Sequence, residues 1–270
     1  MSGIEIRSVS QSFGVLNANP IVALQEASLT IEKGELLCLI GPSGCGKSSL
    51  LNIIAGLSRA TTGDVFIDHV PVRGPLPKTM AFVFQENTLM PWRTALDNIK
   101  LGLAFQGAPR KDRDERARAA LSLVGMDDFA NHYPRQLSGG MKQRIQLARA
   151  LALDTDIILM DEPFAALDEQ TRMVLGEELS VLLAKGGKTI VFVTHSLTEA
   201  VFLADRVAVF SARPGRIKQV LSVGEPHPRP RSFMTSSKLT NLRNELYELL
   251  HDEVVATMKA SFGLSASADP

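Results

Sequence analysis

The sequence predicts an α/β fold with a mainly parallel sheet, because short apolar runs alternate with segments of helical periodicity. The compact apolar run at residues 35–40 is typical of a strand that is buried on both faces. Residues 47–57 follow it, and there leucine and isoleucine recur at helical spacing. Further runs of strand character lie at residues 80–84, 157–160, 189–194 and 207–210. Buried strands joined by helical crossovers form such a sheet.

Two other parts of the chain, the N-terminal segment and residues 94–153, depart from this alternation of strands and helices. Residues 4–9 and 27–31 alternate loosely between apolar and polar side chains, which predicts an antiparallel β part. Residues 94–153 are charged and helix-forming, and we interpret them as an α-helical subdomain inserted into the sheet domain. The predicted fold therefore combines a parallel core, an antiparallel part and a helical insertion.

The end of the chain has a different character. Pro226, Pro228 and Pro230 predict a stiff linker. Residues 239–258 predict one amphipathic helix, and residues 261–270 are expected to fray. The apolar face of this helix would carry Leu242, Leu246, Leu249, Leu250 and Val254. We therefore expect a main domain over residues 1–224, followed by a linker and C-terminal helical extension over residues 225–270.

Composition excludes several classes of protein. The 270 residues include 29 basic and 29 acidic side chains, so there is no general electrostatic attraction to nucleic acid. No run approaches the roughly 18 apolar residues of a membrane-spanning helix, and no secretory signal is evident. Cys38 and Cys45 fall on a strand and the loop after it, a poor geometry for a disulfide. A reduced, cytoplasmic compartment is expected.

A phosphate-binding loop follows the first buried strand. The string GPSGCGKS fits the pattern G-x-x-x-x-G-K-[ST], with a strand before it and a helix after it. Glycines allow successive backbone N–H groups to point at one anion, and the helix start adds further donors. Lys47 is expected to bind the β- and γ-phosphates, and Ser48 to bind Mg²⁺. The predicted nucleotide-binding residues of this loop are Gly41, Pro42, Ser43, Gly44, Cys45, Gly46, Lys47, Ser48 and Ser49.

Two adjacent acids end the strand at residues 157–160. Successive strand residues face opposite sides, so the carboxylates of Asp161 and Glu162 are expected to point differently. Ligands bind at the carboxyl edge of such sheets. Asp161 is therefore expected to hold Mg²⁺, and Glu162 to orient or deprotonate the water that attacks the γ-phosphate. Together with the phosphate loop, this pair predicts a P-loop NTPase that uses a nucleoside triphosphate and Mg²⁺.

The string LSGGMKQR at residues 137–144 resembles the signature motif of ABC ATPases. The resemblance extends over roughly residues 3–222, and the family's motifs occur in the family's order. It implies that Ser138, Gly139 and Gly140 contact the γ-phosphate held by a second ATPase subunit. These residues precede a helix, where their N–H groups are available to an anion. Met141 stands where many family members have glutamine.

The same resemblance assigns roles to four more residues. Gln85 matches the glutamine loop, which would contact Mg²⁺ and the attacking water. Asp168 matches the aspartate loop at the dimer interface. His195 matches the switch histidine, which would hold Glu162 and bind the γ-phosphate. Phe13 stands where similar proteins stack an aromatic ring on adenine.

Cys45 lies at a helix start, a position that can lower the pKa of a thiol. Nothing in the motif requires a thiol there. We expect Cys45 to be a spacer in the phosphate loop and not a catalytic residue.

Three strings resemble the importers of nitrate, sulfonates and taurine: LMPWR at residues 89–93, DEPFAALD at residues 161–168 and SARPGR at residues 211–216. The resemblance implies an ATP-hydrolysing importer subunit, peripheral on the cytoplasmic face of the membrane. Its partners would be permease subunits, a second and identical ATPase subunit and, indirectly, a solute-binding protein, with no nucleic acid. Residues 89–99 also resemble the surface that receives a permease's coupling helix.

Other functions remain open at this point. Importers of thiamine precursors, bicarbonate or aromatic acids use related ATPases. A non-transport ABC ATPase of DNA repair or translation is another alternative, although the chain has no long coiled-coil insertion or second ATPase copy. A third is an adapter that binds nucleotide without hydrolysing it, against which Lys47, Glu162 and His195 argue.

Overall fold

The computed structural model describes residues 2–14, 20–184 and 187–262, which form two sheets and seven α-helices. The strands are β1 (Ser2–Phe13), β2 (Ile21–Glu32), β3 (Leu36–Ile40), β4 (Thr62–Ile67), β5 (Val70–Pro71), β6 (Met80–Val83), β7 (Ile157–Asp161), β8 (Thr189–Val193), β9 (Arg206–Phe210) and β10 (Ile217–Ser222). The helices are α1 (Lys47–Ile54), α2 (Ala95–Phe105), α3 (Arg110–Leu123), α4 (Gly139–Leu151), α5 (Glu169–Ala184), α6 (Leu197–Leu203) and α7 (Ser237–Phe262).

The larger sheet has six strands in the order β10-β9-β3-β8-β7-β6. All neighbouring pairs are parallel except β10 with β9, which is antiparallel. The smaller sheet is antiparallel, in the order β2-β1-β4-β5. The predicted α/β fold with a mainly parallel core, an antiparallel part, a helical insertion and a C-terminal helix is therefore confirmed. In the larger sheet, the carboxyl ends of β3, β8 and β7 lie side by side.

Strand β3 explains how the core is built, because all five of its residues are buried. Leu36, Cys38 and Ile40 face the side of the sheet that is covered by most of the helices. Leu37 and Leu39 face the opposite side, where the antiparallel sheet and α1 cover them. A strand in contact with two apolar layers must be apolar at every position, which is why its sequence does not alternate.

The helical insertion lies between β6 and β7 in the chain and comprises α2, α3 and α4. The insertion begins with a capped helix, because the Thr94 side chain accepts a hydrogen bond from the Asp97 N–H at the start of α2. Buried Leu96, Ile99 and Leu103 fix α2 to the main core. The insertion is thus continuous with the core, and its limits at residues 94–153 remain our proposal.

Some element boundaries differ from those predicted. Helix α1 ends at Ile54, short of the predicted residue 57, because Gly56 adopts a left-handed φ of 69° that closes the helix. Leu57, assigned to the apolar face, is 48% exposed. Strands β4 and β10 were not predicted, because both are half-exposed and stabilised by pairing with neighbouring strands and not by their own apolar pattern.

Helix α7 and the segment before it pack on the main domain. Leu239 and Leu246 are buried within the main cluster. Val254, also predicted on this face, lies outside the described side chains, as residues 263–270 lie outside the described residues. Arg229, 3% exposed, donates to the carbonyls of Val201, Phe202 and Ala204 at the end of α6, and to that of Glu225. The linker is therefore docked on the main domain, and its stiffness stays a prediction.

This packing predicts that the extension contributes to the stability of the whole chain. Leu246→Ala removes a side chain that is 1% exposed, and we expect the free energy of unfolding to fall by about 2–5 kcal/mol. Tyr247→Ala, at a neighbouring position that is 55% exposed, is the matched control and should change little. Urea titration followed by circular dichroism measures both, and equal midpoints for the two variants would contradict the docking of α7.

Candidate nucleotide-binding site

The loop between β3 and α1 has a backbone path that depends on its glycines. Gly44 and Gly46 adopt φ values of 75° and 95°, which other residues rarely adopt. At Gly41, a Cβ atom would lie 2.8 Å from the Cβ of Phe210. The glycine pattern is therefore a requirement of conformation at two positions and of space at the third.

Lys47 is the first residue of α1 and is only 4% exposed. Its Nζ donates to the carbonyl oxygens of Gly41, at 2.7 Å, and Pro42, at 2.9 Å. Cys45 Sγ, a weak acceptor, lies 3.6 Å away. The ammonium is thus held inside the loop by neutral partners, and its positive charge is available to an anion bound there.

The Cys45 thiol behaves differently from the expectation at a helix start. It is 1% exposed, and this burial raises its pKa above the usual value even though Lys47 acts in the opposite direction. The possibility of a lowered pKa is therefore wrong, because desolvation outweighs the nearby positive charge. The role of Cys45 as a spacer stays a prediction.

Ser48 and Asp161 meet behind the loop. Ser48 Oγ donates to Asp161 Oδ1 at 3.1 Å, and the carboxylate is 7% exposed at the end of β7. Burial raises the pKa of Asp161, and the negative charge of Glu162 raises it further. A hydroxyl and a desolvated carboxylate are hard oxygen donors, and Mg²⁺ is commonly held by one or two such groups together with phosphate oxygens and waters. The pair therefore fits the metal that the sequence predicts.

Glu162 follows β7 and is held by groups from two neighbouring strand ends. Its Oε1 lies 2.6 Å from His195 Nε2, and its Oε2 accepts from Gln85 Nε2 at 3.2 Å. The backbone at Glu162 has a φ of 48°, an unusual value for a residue with a side chain. This conformation occurs at the point where the strand ends and the side chain turns toward His195. The carboxylate is thereby oriented by two polar side chains.

Sequence reasoning missed Gln143, a 4% exposed residue of α4. Its Nε2 donates to the Glu162 carbonyl at 2.9 Å, and its Oε1 accepts from the Ala166 N–H at 2.8 Å. One side chain thus joins helix α4 to the backbone of the segment that follows β7, at Glu162 and at Ala166. The available signal was a glutamine at a position that helical periodicity assigns to the buried face.

The signature residues lie at the start of α4. Ser138 is exposed, and its Oγ accepts from the Met141 N–H at 3.3 Å as an N-cap. Gly140 lies close to the carbonyl of Ala166, where a Cβ atom would be 2.9 Å away. The exposed N-terminal donors of a helix capped in this way can bind an anion that is presented from outside the subunit.

Asp168 is exposed and caps α5. It accepts from the Thr171 N–H at 2.9 Å and from the Thr171 hydroxyl at 2.8 Å, and these hydrogen bonds lower the pKa of Asp168. Its carboxylate is thus ionised and fixed at the protein surface. A contact with a second subunit is compatible with this position.

One cleft brings together most of the residues predicted to contact a nucleotide. It is lined by Phe13, Ala23, Ser43, Gly44, Gly46, Lys47, Ser48, Ser49, Gln85, Glu162, His195 and Arg213. Phe13 is 53% exposed, so its ring face is accessible to a base. Arg213 and Ala23 were not predicted. The predicted residues that are not part of this lining are Gly41, Pro42, Cys45, Ser138, Gly139, Gly140, Asp161 and Asp168.

A family model described as ABC transporter matches residues 24–165, which include the phosphate loop, the signature and the acidic end of β7. The chain belongs to the ABC transporter family. It is 48% identical, over 90% of each chain, to an ABC transporter ATP-binding protein of Methanocaldococcus jannaschii that carries the label uncharacterized. The family also accounts for the fold and for the order of the motifs.

Two relatives of this ABC protein carry a cargo in their names. The taurine import ATP-binding protein TauB of Roseobacter denitrificans is 42% identical over 80% of this chain and 81% of its own. The nitrate import ATP-binding protein NrtD of Synechocystis sp. is 43% identical over 83% of both chains. Among solved structures, a dimeric post-hydrolysis ATP-binding cassette bound to ADP and phosphate is 35% identical, with a TM-score of 0.75 over 81% of this chain and 98% of that one.

The ABC protein is accordingly an ATP-binding subunit of the importer type, an enzyme that couples ATP hydrolysis to transport. Helices able to cross a membrane are lacking from the part of the chain that the structure describes.

The buried Asp161 carboxylate predicts a conflict between stability and activity. The pKa of Asp161 is higher in the folded protein than in the unfolded chain. The free energy of unfolding therefore falls as pH rises between these two pKa values, because the buried carboxyl group must then ionise. Asp161→Asn keeps an acceptor for Ser48 without a charge. We expect it to raise the urea midpoint of the nucleotide-free protein at pH 7 while reducing ATP hydrolysis by at least ~10²-fold, as when a group that stabilises the transition state is lost.

Asp154→Asn, at an exposed site in the turn before β7, is the matched control and should leave both the midpoint and the hydrolysis rate unchanged. A lower midpoint for Asp161→Asn than for the unmodified protein would contradict the inferred cost of burying this carboxylate.

Proposed function

We propose that this subunit uses ATP and Mg²⁺ to drive uptake of a small anionic solute, such as taurine, a sulfonate or nitrate, through a partner permease. The observation that carries the catalytic part is the Glu162 carboxylate, held between His195 at 2.6 Å and Gln85 at 3.2 Å in the cleft of the phosphate loop. The cargo is supported by the taurine and nitrate importers to which the chain is similar.

In the proposed mechanism, Lys47 and the N–H groups of the phosphate loop bind the triphosphate, and Phe13 stacks on the base. Ser48 and Asp161 would hold Mg²⁺, which would neutralise charge on the bound triphosphate. Glu162 orients the attacking water and accepts its proton. Gln85 and His195 keep the Glu162 carboxylate aimed at that water.

The active form would be a head-to-tail dimer of two identical subunits. This is supported by the dimeric state of the similar cassette and by the exposure of Ser138 outside its own subunit's cleft. In such a dimer, Ser138, Gly139 and Gly140 of one subunit complete the γ-phosphate site of the other. Asp168 would lie at the same interface.

The permease contact is proposed for residues 89–99. Trp92 is 71% exposed there, which is unusual for a large aromatic side chain. The loop that carries it is fixed by the fully buried Asn98, which hydrogen-bonds to Met90 and to the carbonyl of Arg93. Docking here would place the subunit on the cytoplasmic face of the membrane, with a solute-binding protein acting indirectly through the permease.

The catalytic assignment predicts that Glu162→Gln binds ATP but does not release phosphate. Loss of a general base costs ~10²–10⁴ in rate, and the amide removes a negative charge from a site crowded with phosphates. We therefore expect an ATP-dependent dimer to accumulate, which gel filtration with ATP measures. A variant that remains both active and monomeric would overturn the role of Glu162.

A second substitution tests the composite site in the same assay. Adding Ser138→Arg to Glu162→Gln places a bulky cation where the partner's γ-phosphate would bind, and we expect the dimer to be lost while each monomer still binds ATP. Lys142→Ala, further along α4, serves as the matched control. Persistence of the dimer in the Ser138→Arg variant would contradict the head-to-tail arrangement.

The cargo is tested by co-purifying the permease with this subunit and reconstituting both in liposomes. ATP-dependent uptake of labelled taurine or nitrate is expected, at least tenfold above a Glu162→Gln control. Uptake of bicarbonate, an aromatic acid or a thiamine precursor in place of these anions would replace the proposed cargo by the corresponding alternative.

A further inference from the structure

Arg213 lines the nucleotide cleft although the family's phosphate loop and catalytic motifs do not include it. It lies in the loop at residues 211–216, between β9 and β10. Its Nε donates to the carbonyl oxygen of Gly44, in the middle of the phosphate loop, at 3.2 Å. Its Nη2 would lie 3.1 Å from a Cβ atom at Gly44. The guanidinium is therefore in contact with the phosphate loop itself.

The 211–216 loop is built against this site by close backbone contacts. The Gly215 N–H donates to Ala23 at 2.9 Å, and its carbonyl accepts from the Gln25 N–H at 2.8 Å. A Cβ atom at Gly215 would lie 1.8 Å from the Cys45 carbonyl oxygen, so this approach requires glycine. Arg213 is thus presented to the cleft by a loop whose position is fixed on the other side by β2 and the phosphate loop.

Helix α7 holds the same loop from outside. The Glu253 carboxylate accepts from the Ala212 N–H at 2.8 Å and pairs with Lys218 Nζ at 3.0 Å. Lys218 also donates to the carbonyl of Leu249 in α7, at 3.1 Å. Ala212, the residue immediately before Arg213, is therefore anchored to the C-terminal helix through its backbone N–H.

We propose that Arg213 binds the phosphate chain of the nucleotide as a second cation beside Lys47, and that Glu253 positions the loop that carries it. A guanidinium has five N–H donors, and among the described residues only the Nε donor is engaged, by Gly44. The Nη N–H groups of Arg213 lie in one plane, so they can donate two parallel hydrogen bonds to phosphate oxygens, which a lysine ammonium cannot do. This inference rests on the proposed function of the cleft and adds a residue to its ligand set.

The test measures ADP affinity by calorimetry, because ADP excludes turnover and ATP-driven dimerisation. Arg213→Gln should weaken ADP binding about tenfold or more, as expected for loss of a charge-assisted hydrogen bond to phosphate. Arg213→Lys should recover part of the loss. Arg216→Gln, in the same loop but outside the cleft lining, is the matched control and should bind as the unmodified protein does.

Salt dependence separates a direct contact with phosphate from a structural effect. The affinity of the unmodified protein should fall with added KCl more steeply than that of Arg213→Gln, because one ionic contact is missing in the variant. Equal slopes, or an ADP affinity within twofold of the unmodified protein, would overturn the contact. The unmodified protein is assayed in parallel for ATP binding and hydrolysis. If it is active, such a result concerns Arg213 and not the proposed function.

The positioning role of Glu253 has its own readout. Glu253→Ala should weaken ADP binding in the otherwise unmodified protein, by less than Arg213→Gln does, and should have no further effect when Arg213 is already glutamine. Additive losses in the double variant would overturn the coupling through this loop.

Discussion

The site depends first on a positive charge that is buried inside a loop of backbone. Lys47 Nζ is held by the carbonyls of Gly41 and Pro42, and burial of an ammonium group is costly unless its donors are satisfied. The carbonyls satisfy them without neutralising the charge. The loop therefore keeps a cation that an incoming triphosphate neutralises, and the glycines at positions 44 and 46 keep the backbone in the conformation that allows it.

The parallel order of the sheet assembles the rest of the chemistry around this charge. Strands β6, β7 and β8 are adjacent and parallel, so Gln85, Glu162 and His195, which follow their carboxyl ends, meet at one edge. The same arrangement brings two carboxylates together, and burial raises the pKa of Asp161, to which the charge of Glu162 adds. Asp161 and Glu162, which would bind a metal and orient a water, thus repel each other when neither is bound. Such a conflict is common where function competes with stability.

Much of this arrangement could be predicted from the sequence because it depends on local pattern. The apolar runs predicted the parallel strands, and the phosphate loop and acidic pair were expected at their carboxyl ends. Gln143 and Arg213 were missed as site residues, because the groups that they contact lie far away in the chain and no local pattern identifies those partners. The pKa of the Cys45 thiol could not be predicted from local pattern either. Its helix position suggested a lower pKa, whereas tertiary burial raises it.

The C-terminal extension illustrates how a sequence boundary can differ from a physical one. Prolines at 226, 228 and 230 suggested a spacer, yet Arg229 between them is buried against the end of α6. Leu239 and Leu246 lie in the same core as residues of β3, β7 and β8. Glu253 hydrogen-bonds to the 211–216 loop, which contacts Gly44. Movement of α7 would therefore disturb core packing and the 211–216 loop together.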